Sequence, residues 1–376
     1  MNDLIRKPHP LRVVIKALIL FALANLLFAY FNPAIGKLSV FNHLVNGRLR
    51  FPAQTQETDQ FNQGVLSFQD MDSMFASHVI SARPKPAGEY RVILLGDSSI
   101  WGYTLQAPDI LSEQLNKMNL VTCAGKTVRA YDLAYPLPSF MRDLLILDQA
   151  RQYQPDLVVW PVTMLTFLTN DSDRFFLAYQ ADRVLQLTET YHLIVPAASH
   201  LHVSGFWDRT ILAQRSRIKV VSADQLYGLR WEATDLDIEV STAIPLSNDV
   251  ASDSFYYGYN SPSDLKALVK SFQFSAFGAG QKLAGKVPIY YFDEPIFIAD
   301  GQNSSVRYNK YYPRWAFDEY RTRIGQWMSQ HNLPFDDFWN LIPSSEFTDS
   351  PLHLTAEGEN QLADKLAPAI LKMACK

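Results

Sequence analysis

Hydrophobic and polar positions follow two regimes along this chain. Leu11 to Phe31 is apolar apart from Arg12, Lys16 and Asn25, and its cleanest part runs from Ala17 to Phe31. A helix of about 20 such residues spans the hydrocarbon of a bilayer, with a lysine near one edge snorkelling to the headgroups. From Glu89 onward, short β-branched and aromatic runs alternate with stretches of helical period. Residues 91–95, 127–133, 157–160, 287–292 and 335–339 read as strands. Residues 110–119, 139–153 and 315–331 read as helices, followed by a last helix from near Thr355 that carries Leu362, Leu366, Ile370 and Leu371 on one face.

Strands separated by helices specify a parallel sheet covered on both faces, a three-layer α/β/α sandwich. Five strands fit a flavodoxin-like, doubly wound order with right-handed crossovers. The chain then divides into a cytoplasmic N-terminus and transmembrane anchor (1–36), a tether leading into the domain (37–88) and the α/β domain itself (89–376). Residues 165–285 are too many for a loop and read as an insertion, either a cap over the site or a partner-binding subdomain. Arg6, Lys7, His9 and Arg12 lie before the apolar run, so the preference for cytoplasmic positive charge puts the large domain outside the cell membrane. A cleaved signal would have to use Ala34-Ile35-Gly36, a poor cleavage site, and a buried soluble helix is the third alternative. The reading adopted is a single-pass anchor.

Composition narrows the partners. A formal net charge of −4 without any basic run excludes nucleic acid as the main one. Aromatics at 13% of residues suit a folded chain. The two cysteines, Cys123 and Cys375, lack metal-type spacing and read as unpaired thiols, a single long-range disulfide being the alternative.

In a doubly wound sheet, ligands bind beyond the carboxyl ends of the strands. Gly96-Asp97-Ser98-Ser99 follows the first strand, Ala134 the second and Thr163 the third, while His353 follows the last. Gly96 permits a sharp turn, and Ser98 then stands at a helix N-terminus, where amides favour a developing oxyanion. A Gly-Asp-Ser turn alone is ordinary, and so is a loop histidine. A serine and an imidazole on two strand-end loops of one sheet are the minimum for acyl transfer. Other signals are weaker. His200 and His202 have no acidic neighbour and read as polar surface, and Gly278-Ala-Gly280 with Gly285 precedes a strand, whereas a phosphate-binding turn follows one. Asn170-Asp-Ser172 and Asn303-Ser-Ser305 fit the glycosylation pattern. Arg307, Tyr308, Arg314 and Arg321 read either as contacts for an anionic substrate group or as a solvated helix face.

The block Gly96-Asp97-Ser98 with the late His353 resembles the SGNH/GDSL hydrolase family over roughly residues 90–165 and 286–372. The resemblance implies that the serine attacks an acyl carbonyl, that the histidine is its base, and that an aspartate three residues earlier orients the imidazole. It also implies an oxyanion hole completed by a glycine amide and an asparagine side chain from the second and third blocks. This chain has Tyr131-Asp132-Leu133-Ala134-Tyr135 as the second block and Trp160-Pro161-Val162-Thr163 as the third. Ala134 stands for the glycine and Thr163 for the asparagine, so the expected oxyanion donors are the amides of Ser98 and Ala134 and the Thr163 hydroxyl. Ser350 holds the position three before His353; Asp349, four before, is the expected third member, with Asp336 and Asp337 as weaker candidates.

These implications give a membrane-anchored, extracytoplasmic serine ester hydrolase or O-acyltransferase. Its substrates would be acyl esters of small molecules or envelope glycans, and it would need no metal or organic cofactor. The anchor is similar to that of membrane-tethered SGNH-like proteins that modify alginate or teichoic acids, which implies a membrane acyl-transfer partner. The altered blocks leave an alternative: a catalytically silent SGNH-fold protein that binds glycan or scaffolds a membrane complex.

Overall fold

The computed structural model describes residues 9–38, 47–51, 70–168, 177–195, 198, 200–219, 221–222, 245–251 and 261–376. The first apolar run is helix α1, Pro10–Phe31, started by Pro10 and ended by Asn32 in a left-handed conformation. It is long and apolar enough to cross a membrane, and most of its surface is exposed. Helix α2, Met71–Ala76, is capped by Asp70, whose side chain accepts from the Ser73 amide.

The domain then alternates as the periodicity predicts. Strand β1 is Glu89–Leu94, followed by the short helix α3, Ser98–Trp101, and by α4, Leu111–Lys117. Strand β2, Thr127–Asp132, leads to α5, Phe140–Ala150, and then to β3, Leu157–Val162. Among the described residues of the insertion are α6, Ala181–Tyr191, α7, Leu265–Ser271, and α8, Ser275–Ala284. Strand β4 is Ile289–Asp293, α9 is Arg314–Gln330, β5 is Phe335–Asp337 and α10 is Ala356–Ala374. The strands pair in parallel in the order β2-β1-β3-β4-β5.

Alternation along each strand divides the core. Ile93, Tyr131, Val158, Trp160 and Tyr291 face α5, α8 and α9. Val92, Leu94, Ala130, Val159 and Phe292 face α4 and α10. Helix α8 closes tightly on β3 because Gly280 has no side chain: a Cβ there would lie 2.5 Å from the Trp160 ring. Gly280, one of the glycines that looked like a poor nucleotide fingerprint, therefore serves helix–sheet packing.

Two expectations need correction. Residues 37–88 are more than a tether, because Phe51, Met74, Phe75 and Ile80 are buried in the first core face. The cysteines are paired: Cys123 and Cys375 form a disulfide that closes a separation of 252 residues and holds the end of α10 near the start of β2. The end of the insertion is likewise part of the sheet's helical layer, through α8. The Asn170 glycosylation pattern lies outside the described residues.

Candidate active site

The turn out of β1 is built to expose a serine. Gly96 has φ +128°, and a Cβ on it would meet Ile100 and Pro161 at 2.9 Å. Asp97 caps α3 by accepting from the Ser99 amide at 2.8 Å. Ser98 is thereby the first residue of the helix, half-buried, and its amide donates to no acceptor among the described residues.

At the far end of the chain, residues 347–354 form a tight return. Phe347 pairs with Leu354, the Thr348 amide donates to the His353 carbonyl, and Thr355 caps α10. Phe297 donates to the Pro351 carbonyl at 2.8 Å, and the hydroxyls of Thr104 and Thr348 lie 3.1 Å apart. These contacts tie the return to the segments that follow β4 and α3. His353 is nearly buried and stacks on Tyr103, with centroids 5.0 Å apart.

The two ends meet. His353 Nε2 lies 2.8 Å from Ser98 Oγ, and Nδ1 lies 2.9 Å from Asp349 Oδ1. A neutral imidazole protonated on Nδ1 satisfies both contacts: it donates to the carboxylate and accepts from the hydroxyl. Burial raises the Asp349 carboxyl, but the hydrogen bond and charge of His353, with donors from its own backbone and Thr348, outweigh it and hold the pKa below the usual aspartate value. The one-residue lengthening relative to the resemblance is absorbed by the return, because the His353 amide bonds back to the Ser350 carbonyl. The weaker candidates are engaged elsewhere: Asp336 accepts from Tyr290 and Asp337 pairs with Arg321.

The expected oxyanion donors fare unevenly. The Ala134 amide is taken, donating to Asp132 Oδ1 at 2.8 Å. It is therefore not the second amide of the hole. Three residues on, Leu137 adopts φ 76°, a conformation that glycine takes freely and leucine rarely. Its amide donates to no acceptor among the described residues. Thr163 is fully buried; its hydroxyl is 2.7 Å from the Tyr312 hydroxyl, and its amide donates to Thr166 Oγ1.

Other residues singled out by sequence have partners of their own. Arg307 donates to the carbonyls of Asn309 and Lys310, Arg314 lies over Tyr308, and Arg321 lies over Trp339. His202 sits 3.4 Å from Asp208. Sequence reasoning missed Tyr103 and an acidic set behind the serine. Asp293 and Glu294, at the end of β4, are buried, and both carboxyls are pushed well above their usual range. For Glu294 burial is the main cause, followed by the charges of Asp97 and Asp293. Two adjacent acids at the carboxyl end of a strand were the available signal.

No protein-family model and no curated protein matches the chain. Several solved structures are similar at low identity. A lipase/acylhydrolase from Enterococcus faecalis is 13% identical over 75% of this chain and 95% of its own, with a TM-score of 0.36. A carbohydrate acetylesterase family member from Sinorhizobium meliloti is 11% identical over 76% and 98%, with a TM-score of 0.32. An extracellular lipase from Streptomyces rimosus is 13% identical over 74% and 99%, with a TM-score of 0.32. Likenesses this distant leave the functional argument to the chain's own residues. A serine that leaves β1 meets a histidine 255 residues later across a parallel 2-1-3-4-5 sheet, the arrangement that the sequence resemblance leads one to expect.

Proposed function

We propose that the chain is a membrane-anchored serine ester hydrolase or O-acyltransferase that works through an acyl-enzyme on Ser98. The observation that carries this reading is the Ser98–His353–Asp349 chain of contacts at 2.8 and 2.9 Å. Ser98 Oγ attacks the ester carbonyl while its proton passes to His353 Nε2, and Asp349 stabilises the imidazolium. The tetrahedral adduct collapses, and the departing alkoxide takes the proton from Nε2. Water or an acceptor hydroxyl then gives its proton to His353 and attacks the acyl carbonyl, and Ser98 leaves reprotonated.

The Ser98 and Leu137 amides serve the oxyanion, and Thr163 contributes its hydroxyl proton when Tyr312 donates to Thr163. A donor of this kind is worth about 100-fold to 1000-fold in rate. The disulfide supports an oxidising compartment. The basic flank ahead of α1 supports the same orientation, with the N-terminus inside and the domain outside. Esters of small molecules or of envelope glycans suit that location, and a membrane acyl donor protein is the partner that a transferase would need.

Fluorophosphonate labelling of the full chain in detergent, with the adduct located by mass spectrometry, tests the reading. A single adduct on Ser98, lost in Ser98→Ala and His353→Ala, is the expected result. Ser98→Ala should lower ester turnover by about a million-fold. Folded wild-type protein that forms no adduct would favour the silent scaffold instead.

A further inference from the structure

We infer that the insertion carries a second membrane contact, an aromatic and aliphatic patch at residues 203–212 that sits in the headgroup layer beside α1. The inference rests on the reading of α1 as a membrane anchor. Val203, Phe206, Trp207 and Leu212 expose their apolar side chains, Trp207 to 71%. Isolated exposed apolar residues are ordinary, but a contiguous set marks a contact surface.

The occupant is identified by what the patch touches. The turn Trp207–Arg209 packs against α1, and the Leu212 amide donates to Asn25 Oδ1 at 3.2 Å. Asn25 in turn donates to the Phe21 carbonyl at 2.9 Å. Asn25 and Ala29 are the buried residues of the helix, one turn apart on the face toward the insertion. Asn25 lies six residues before the end of α1, about 9 Å along the axis at 1.5 Å per residue. A helix that spans the bilayer up to Phe31 places that depth below the lipid headgroups. A polar side chain there needs a protein partner, and the insertion supplies it. The chain segment that reaches Asn25 must itself enter the outer leaflet, and its exposed residues are the kinds that reside there: Trp and Phe, with Leu212 and the flanking Arg209 and Arg215.

The junction is braced. Gly36, just after α1, approaches the Asp70 cap so closely that a Cβ would lie 2.1 Å from Oδ1. Arg217 pairs with the same Asp70 at 2.5 Å. The anchor, α2 and the insertion therefore meet at one carboxylate, which fixes the patch relative to the helix that enters the membrane.

The test uses the full chain in vesicles of phosphatidylcholine and phosphatidylglycerol. Trp207→Cys, Phe206→Cys, Leu20→Cys and Lys365→Cys are each labelled with a nitroxide, the native cysteines being occupied by their disulfide. Collision with oxygen is compared with collision with a water-soluble nickel chelate. Lys365 is exposed on α10, across the sheet from α2, and reports bulk water. The expected result is several-fold lower nickel accessibility at 206 and 207 than at 365, with 20 lower still. Protection at 20 with accessibility at 206 and 207 equal to that at 365 would overturn the patch and leave the anchor standing. Accessibility at 20 would overturn both. Protection of 207 in native membranes but not in the vesicles would assign the patch to a protein partner and overturn the lipid contact.

Discussion

Asp349 shows how one side chain sets the chemistry of another. At neutral pH its carboxylate holds the Nδ1 proton of His353, which turns Nε2 toward the Ser98 hydroxyl. Asparagine keeps the shape but loses the charge and lets the imidazole take the wrong tautomer. Asp349→Asn should cost about 10,000-fold in turnover at pH 7 together with a modest loss of stability, read by steady-state kinetics beside a melting curve. Because the carboxyl is held below its usual value, its contribution to stability is present above that value and is lost only as pH falls through the lower one. The mutant should therefore differ from wild type in stability at neutral pH and converge on it in strong acid. The neighbouring loop gives a paired test. Leu137 is in the left-handed region and Ala134 is buried. Leu137→Gly should relieve backbone strain of about 1 kcal/mol, raising or preserving the melting midpoint with turnover retained. Ala134→Gly should lower the midpoint by about 0.5–1 kcal/mol equivalent. Ser98 and His353 were legible because a strand pattern precedes each loop. The Leu137 turn was not, since nothing in a leucine's identity announces a positive φ.

At the level of elements, the helix and strand periods located the strands among the described residues within a few residues, most plainly for β1, β3 and β4, which are buried along their whole length. The segment before β1 offers no such run: Phe51, Met74 and Phe75 stand in short apolar pieces, and only the packed structure shows what they fill. The most consequential element for the site is α10, whose start fixes the His353 return. Thr355 accepts from the Gly358 amide at 3.0 Å, donates to Glu346 Oε2, and bonds through its own amide to the Glu346 carbonyl. Thr355→Ala removes the side-chain cap but keeps the backbone bond. It should cost about 1 kcal/mol in denaturant unfolding, with turnover changed only a few-fold because Asp349 and Tyr103 still hold the imidazole. A loss as large as that of His353→Ala would show that the cap itself positions the base.

Across the whole molecule, pairing distant parts puts acids in places where they cannot readily ionise. The order of the sheet was legible from the sequence; the partner of Cys123 and the company of Asp293 were not, because both depend on where distant segments land. Asp132, Asp293, Glu294 and Glu359 are buried, and in each the carboxyl is raised well above its usual value, burial being the first cause. Each of these groups keeps its proton in the folded chain at a pH where the unfolded chain has released it. Stability is therefore highest near the ordinary carboxylate range and falls as pH rises toward the raised values, by about 1.4 kcal/mol for each tenfold difference in proton affinity. This slope is opposite in sign to that from Asp349, which acts only in stronger acid. Melting midpoints should accordingly be higher at pH 5 than at pH 8. Glu294→Gln replaces a carboxyl that stays neutral only by holding a proton with a side chain that is neutral at any pH. It should raise the midpoint at pH 8 by a few degrees and change it less at pH 5, flattening the curve. An equal shift at both pH values would mean that Glu294 is already ionised in the folded chain, and the buried acids would then have to be stabilised by a counter-charge.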